Sequence, residues 1–170
     1  METIDRKMDS ILKSRYTNVF YNTALTKNIF GLYCVCLIFL VFFTPNRIHG
    51  YYHRHEVFFI PLESTLSGLR GPRGQHFWAY WFKYFINLFG NVALFMPMGF
   101  LLKSFSRKSS TRSIVLIGAL VSANIELLQL TFRIGVCDID DVLLNTLGTW
   151  CGVWMFGYMM FKVQGLRCKV

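Results

Sequence analysis

Charged residues are scarce in this 170-residue sequence, and acidic residues are scarcer than basic ones. Only 16% of the residues are charged, whereas an average soluble domain has roughly 25%. This deficit leaves too little polar surface for a water-soluble fold. The 54% share of hydrophobic residues also excludes a disordered chain, because disordered chains are poor in aliphatic and aromatic side chains.

Motifs for metals and nucleotides are also missing. The five cysteines include no pair with the spacing of a zinc site, and their odd number argues against a disulfide framework. We interpret His49, His53 and His55 as part of an interfacial loop, because their spacing is loose and no cysteine joins them. No glycine-rich nucleotide motif is present. The sequence therefore predicts no cofactor, with a divalent cation as the alternative considered below.

Four apolar runs organise the chain. They predict membrane spans at about residues 28–45, 84–102, 113–132 and 142–161. Each is close to the roughly 20 residues that cross the hydrocarbon of a bilayer. Helical spacing of apolar residues over 1–27 predicts a cytoplasmic amphipathic segment. The expected fold is all-α, an integral membrane bundle of four transmembrane helices within 28–163, with that N-terminal segment and a cytoplasmic tail over 164–170.

Basic residues are distributed unevenly around these spans. Twelve fall in the N-terminal segment, the link between the second and third spans, and the tail, whereas six fall in the other two connections. Because Lys and Arg accumulate in cytoplasmic connections, we expect both termini to be cytoplasmic. The net charge of +9 is then an orientation signal, and the sequence predicts no nucleic-acid partner.

Polar side chains form one stripe on the third span. At 100° per residue, Glu126, Gln129 and Arg133 lie within about 60° of one another, and the stripe rises toward the outer surface. Ionisable groups inside a span are costly and mark functional sites. Alternatively, Glu126 and Arg133 form a structural clamp that satisfies polar groups between packed helices. The sequence leaves both interpretations open.

A second polar face begins the fourth span. Asp138, Asp141, Asn145, Gly148 and Gly152 share one side of a helix that begins near Asp138. The carboxylates predict either a ligand site or helix capping, and Mg²⁺ or Ca²⁺ binding by Asp138 and Asp141 is a further alternative. Gly148 and Gly152 form a small-xxx-small pair, which predicts close helix packing.

The second span carries amide side chains and an internal proline. Asn91 shares a face with Asn87, and Pro97, followed by Gly99, predicts a bend at a helix contact. We expect a polar pocket that opens outward between the second, third and fourth spans. Its candidate ligand-binding residues are Asn91, Glu126, Gln129, Arg133, Asp138, Asp141 and Asn145. The candidate helix-packing residues are Pro97, Gly99, Gly148 and Gly152.

Three segments of the chain resemble a known family. Gly90–Leu102 (GNVALFMPMGFLL) is similar to the asparagine and F-x-P-x-G stretch of the VanZ-like proteins. The polar stripe followed by Asp138–Gly148 (DIDDVLLNTLG) is similar to that family's signature in its third and fourth spans. Phe59–Leu62 resembles a shorter family element, although Leu62 stands where phenylalanine is frequent. The resemblance covers about residues 29–161 and implies a multipass protein of the bacterial cytoplasmic membrane, with a founding member linked to teicoplanin resistance.

Three functions fit these features. In the first, the pocket binds an amphiphile, either a lipoglycopeptide or a lipid-linked cell-wall precursor, and Arg133 meets its phosphate or carboxylate. In the second, an enzyme acts on a prenyl-phosphate or phospholipid head group, with a divalent ion at Asp138 and Asp141 and with Glu126 as acid or base. In the third, Glu126 is the carboxylate of a small proton-coupled transporter, for which four spans suffice only in an oligomer. Membrane lipid is the expected partner in each.

Overall fold

A computed structural model describes residues 23–43, 57–58, 60–71, 77–132, 134 and 137–165, and these residues are mostly helical. The elements in chain order are α1 (Thr23–Phe42), β1 (Val57–Phe58), α2 (Glu63–Gly68), α3 (Phe77–Phe105), α4 (Thr111–Phe132), β2 (Cys137–Asp138) and α5 (Ile139–Gly165). Most of the predicted amphipathic segment, residues 1–22, lies outside the described residues, as does the tail beyond residue 165.

Three helices are long and apolar enough to cross a membrane, namely Ala24–Phe42 within α1, Phe77–Phe105 and Thr111–Phe132. Their surfaces carry large apolar side chains such as Leu32, Phe39 and Phe89, each more than 60% exposed. Such surfaces are stable against lipid, which is as apolar as the side chains themselves. The chain is therefore an integral membrane protein.

α5 lies at the centre of the bundle and packs most extensively against α3 and then against α4. At the α3–α5 contact, a methyl group on Gly99 would overlap the carbonyl of Thr149, and one on Gly152 would overlap the carbonyl of Met96. Gly148 makes the same kind of backbone contact with α3. These glycines let the two helices approach backbone to backbone, which fixes the relative position of their ends.

α1 is attached to the outside of this unit through α3. An apolar cluster between the two helices is formed by Leu37, Val41, Phe95 and Met98. The hydroxyl of Tyr33 also donates a hydrogen bond of 2.9 Å to the carbonyl of Leu94. That carbonyl lies in the turn before Pro97. The N–H that Pro97 lacks would have bonded the preceding carbonyl, that of Ala93, so the Tyr33 hydroxyl ties α1 to the turn of α3 that the proline weakens.

The connection between α1 and α3 folds over one end of the bundle. β1 pairs with β2 in parallel, with Val57 opposite Cys137 and Phe58 opposite Asp138. We term the described residues 57–58 and 60–71 the cap, and the end of the bundle beneath them the capped end. The all-α prediction did not include this pairing, because a two-residue strand has no alternating pattern to detect.

Candidate functional site

Asp140, in the first turn of α5, anchors the cap. Its side chain is 2% exposed. One carboxylate oxygen accepts hydrogen bonds from the Ser64 hydroxyl at 2.7 Å and the Thr65 N–H at 2.9 Å, and the other accepts from the Leu62 N–H. The Asp140 N–H in turn donates to Oδ1 of Asp138 at 2.9 Å. The buried charge is thereby satisfied by three donors of the cap.

These hydrogen bonds set the charge of Asp140, which precedes the predicted fourth span. Burial raises its pKa, but the hydrogen bonds from Ser64, Thr65 and Leu62 together outweigh burial, so the pKa lies below its ordinary value of 3.8. The carboxylate is therefore ionised at neutral pH. A negative charge in the first turn of α5 is also favoured by the helix dipole.

Leu62 adopts a left-handed backbone conformation, with φ 65°. This conformation is unfavourable for a leucine and costs on the order of 1–3 kcal/mol. Leu62 lies at the start of α2, and its conformation directs its N–H to the carboxylate of Asp140 in α5. The cap therefore holds a strained turn in place through the same carboxylate.

Two tyrosines tie the cap to α3. The Tyr80 hydroxyl donates to the carbonyl of Gly68 at 2.8 Å, and the Tyr84 hydroxyl donates to the carbonyl of Thr65 at 3.0 Å. Both rings lie within the first turns of α3, which begins at Phe77. The cap is thus held by both α3 and α5.

A cavity of about 110 Å³ lies between the cap and the helices. Its described polar lining consists of Ser64, Thr65, Tyr84, Asn87, Asp138, Asp140 and Asp141, with two leucines as the apolar part. Beside it, the side-chain amide of Asn91 donates to Oδ1 of Asp141 at 2.5 Å. This bond joins α3 to α5 directly below the cap. Because three aspartates belong to its lining, the cavity is rich in hydrogen-bond acceptors.

A buried polar layer, formed by Ser122, Glu126, Gln129 and Asn145, lies deeper between α4 and α5. Glu126 is 4% exposed and accepts a hydrogen bond of 3.2 Å from the Asp138 N–H. The Asn145 amide nitrogen donates to the Ser122 hydroxyl at 2.8 Å. Oδ1 of Asn145 is buried and has no hydrogen-bond partner among the described residues. An unpaired acceptor of this kind costs about 1–3 kcal/mol, so we expect a donor group to reach it.

The family model described as VanZ/LLP1 matches residues 30–161. The chain belongs to the VanZ/LLP1 family. Protein VanZ of Enterococcus faecium is 27% identical over 136 residues, which cover 78% of this chain and 74% of that protein. No solved structure matches the chain.

The VanZ/LLP1 match confirms the family that the sequence resembles. The matched residues begin within α1 and end within α5, so they include the cap, the cavity and the buried polar layer. The predicted amphipathic segment, residues 1–27, lies entirely before the match. The whole capped end is therefore part of the VanZ/LLP1 region of the chain.

The structure divides the predicted pocket into two places. At the cavity it places Asn91, Asp138 and Asp141. In the buried polar layer it places Glu126, Gln129 and Asn145. Arg133 lies outside the described residues. The two groups are connected, since Asp138 lines the cavity through its side chain and donates its N–H to Glu126.

Sequence reasoning missed Asp140 and its partners as site residues of this VanZ/LLP1 protein. Helical spacing assigned Asp138 and Asp141 to one face, and Asp140 falls off that face. The structure turns Asp140 toward the cap, where Ser64 is 76 residues away in sequence. The sequence does place the Asp140 carboxylate in the first turn of a predicted helix. Helix capping alone explains a carboxylate at that position, so nothing pointed to a contact with the cap.

The three aspartates are engaged in protein hydrogen bonds. Asp138 accepts from the Asp140 N–H, Asp140 accepts from the cap, and Asp141 accepts from Asn91. Within the part of the chain that the structure describes, no group of three His, Cys, Asp or Glu side chains is arranged to hold a metal ion.

Proposed function

We propose that this VanZ/LLP1 protein binds the polar head group of an amphiphile at the cavity beneath the cap. The chain crosses the bacterial cytoplasmic membrane four times, with the fourth span at about residues 142–161 within α5, residues 1–27 as an amphipathic segment and both termini in the cytoplasm. The 27 residues of α5 reach about 40 Å, more than the roughly 30 Å of hydrocarbon. In this orientation the capped end faces outward.

The size and lining of the cavity carry this proposal. A cavity of about 110 Å³ is well below the roughly 300–1,000 Å³ of pockets that enclose a drug-sized ligand. It therefore admits one part of a ligand while the apolar remainder stays in the bilayer. Asp138 and Asp141 offer acceptor oxygens and Asn87 offers both a donor and an acceptor. Hydroxyl and amine groups complement this lining best.

Lipid-linked cell-wall precursors and lipoglycopeptides carry such groups close to an apolar chain. Binding either molecule at the outer leaflet connects the site to glycopeptide, and specifically teicoplanin, resistance, as the family resemblance implies. Arg133 follows the end of α4 and is proposed to meet the phosphate or carboxylate of the same ligand. Below the cavity, the unpaired Oδ1 of Asn145 is placed to accept a hydrogen bond from a further donor group.

Resistance measurements with matched variants test this function. Wild type, Asn87→Ala, Asp141→Asn, Glu126→Gln and Arg133→Ala are expressed at equal membrane levels in a strain lacking its own copy. We expect the variants to lower the inhibitory concentration of teicoplanin at least fourfold. Asn124→Ala is the control, because Asn124 is exposed and its amide donates to the carbonyl of Leu120 in its own helix. Wild-type resistance in every stable pocket variant would exclude the pocket.

A second measurement separates binding from catalysis. Purified protein in lipid nanodiscs is titrated with a lipid-linked precursor, and release of phosphate or head group is followed with and without Mg²⁺. We expect saturable binding that Asp141→Asn weakens at least tenfold, and no turnover. Turnover that requires Mg²⁺ and disappears in Asp138→Asn would favour the enzyme over the binding protein.

A further inference from the structure

A second cavity lies at the opposite end of the bundle, where α3 ends and α4 begins. It is an open groove of about 470 Å³ along one face of α5. We term it the aromatic groove, because its α5 wall consists of Trp150, Trp154, Tyr158 and Phe161, with Val153 and Gly157 between them. Lys103 of α3 and Thr111 of α4 complete the wall. None of the candidate pocket residues lies here.

The dimensions of the aromatic groove match one lipid chain. Trp150 and Phe161 are 11 positions apart, or about 16 Å at 1.5 Å per residue. Half of the hydrocarbon core is about 15 Å thick. The Trp154 and Tyr158 rings stack at 5.8 Å with an interplanar angle of 17°, which forms a continuous apolar wall. A side chain at Gly157 would meet nothing within 4 Å, so the middle of the groove is open.

Positive charge is fixed at the end of the aromatic groove. The Lys103 ammonium donates to the carbonyls of Arg107 at 3.1 Å and Ser109 at 2.7 Å, which holds it at the α3–α4 turn. On the α5 side, Nζ of Lys162 lies 5.8 Å from the centroid of the Tyr158 ring. The groove therefore ends between two lysines on different helices.

The surroundings of Lys103 add further positive charge. The α3–α4 turn and the start of α4 carry Arg107, Lys108 and Arg112. The sequence has no acidic residue between Glu63 and Glu126. We term Lys103, Arg107, Lys108, Arg112 and Lys162 the basic end. An anion is the complementary partner for such a cluster next to a membrane surface.

We propose that the aromatic groove binds an anionic phospholipid, with one acyl chain along α5 and the phosphate at Lys103 and Lys162. A second copy of the chain is a poorer occupant, because a symmetric contact through this face brings two basic ends together. The site is separate from the cavity beneath the cap. It rests on α5 as the proposed fourth span, and on the proposed orientation only for the leaflet, which would be the cytoplasmic one.

Tryptophan quenching by brominated lipids tests this site. The chain has four tryptophans, and the variant Trp78→Phe/Trp81→Phe leaves the two in the groove. This variant is placed in phosphatidylcholine nanodiscs that contain up to 10 mol% brominated phosphatidylglycerol or brominated phosphatidylcholine. We expect the anionic lipid to quench at least twice as strongly and to saturate. Both leaflets of a nanodisc have the same composition, so an error in the orientation does not change this result.

Matched variants assign the preference to the groove. Lys103→Gln should remove the preference for the anionic lipid, whereas Lys103→Arg should retain it. Gly157→Leu should reduce quenching by both lipids, because leucine fills the groove. Gly31→Leu is its control, since a side chain at Gly31 also meets nothing within 4 Å but lies on α1.

Three results would overturn the proposal. The first is equal quenching by the two lipids. The second is a preference that both Lys103→Gln and Gly157→Leu leave intact. The third is protection of both tryptophans from either lipid together with crosslinking of two chains through α5, which would assign the groove to a second copy.

Discussion

At the scale of single residues, the Asp140 carboxylate joins two parts of the chain that are 78 positions apart. It accepts three hydrogen bonds in a place that is almost fully buried. A hydrogen bond to a charged group contributes roughly 1.5–3 kcal/mol, and an unsatisfied partner costs a similar amount. The attachment of the cap therefore depends strongly on one side chain.

We predict that Asp140→Asn destabilises the cap by about 2–3 kcal/mol, because an amide NH₂ replaces one of the two acceptor oxygens. Hydrogen exchange at the Leu62 and Thr65 amides measures this as a loss of protection of roughly 30- to 150-fold. Glu63→Gln makes the same chemical change on an exposed side chain of α2 and should alter stability by less than about 0.5 kcal/mol. Equal protection in the two variants would show that Asp140 does not anchor the cap.

The pH dependence of the cap follows from the lowered pKa of Asp140. A carboxyl whose pKa is lower when folded stabilises the folded form fully above its unfolded pKa of 3.8, and loses that contribution as the pH falls through the folded pKa. We expect the cap to be stable at neutral pH and to open only in acid below about 3.8. Protection factors of the Thr65 amide between pH 7 and pH 3 measure the change. Asp140→Asn should remove this dependence, and its persistence there would assign it to another group.

At the scale of elements, the glycine contacts between α3 and α5 determine how the walls of the cavity meet. Asn91 and Asp141 bond one another at the capped end of this contact, and Gly148 lies two turns along α5 from Asp141. A small shift of one helix along the other would separate the pair. Packing in the middle of the bundle therefore positions the site at its end.

Gly152→Ala should separate α3 from α5, because the added methyl overlaps the backbone of α3. Overpacking of this kind costs about 1–3 kcal/mol. Thermal unfolding in detergent measures the change. Gly31→Ala is the control, since its methyl meets nothing within 4 Å. Equal stability of the two variants would show that the bundle relaxes around the contact.

The helices could be predicted from the sequence far better than the cap could. A long apolar run in the sequence indicates each helix locally, and the polar faces of α3 and α5 were enough to predict that Asn91 and Asp141 lie close together, as their hydrogen bond shows. The bond from Ser64 to Asp140 has no such local signal, because its partners are separated by 76 residues. Helical spacing also grouped the residues of the cavity and those of the buried polar layer into one predicted pocket. Spacing shows on which face of a helix a residue lies, but not how deep in the bundle it lies. Leu62 illustrates the same limit, since a left-handed leucine is held by a distant carboxylate.

At the scale of the whole molecule, the two ends of the bundle differ in charge. Within the described residues, the capped end contains five acidic residues (Glu63, Glu126, Asp138, Asp140 and Asp141) against the two cations Arg70 and Lys83, whereas the basic end consists of five cations. The two proposed ligand sites follow this division, with hydrogen-bond acceptors at one end and positive charge at the other. Because the basic residues of membrane proteins accumulate on the cytoplasmic side, this difference in charge predicts a single orientation of the chain in the membrane.

Thiol labelling should show this orientation directly. In a version with its five cysteines replaced, Arg70→Cys in the cap should react with an impermeant thiol reagent in intact cells. Ser109→Cys in the α3–α4 turn should react only after the membrane is permeabilised. The two sites then serve as controls for each other, and the opposite pattern would reverse the proposed topology.

The pairing of β1 with β2 has a consequence for biosynthesis. β1 leaves the ribosome before α3, whereas β2 and Asp140 follow α4. The cap therefore closes a loop that includes two complete helices, and contacts of such high sequence separation form late in folding. A partly inserted chain has no cavity beneath a cap. The binding proposed for this cavity therefore becomes possible only after the start of α5 is in place, because Asp140 and Asp141 line the cavity from its first turn.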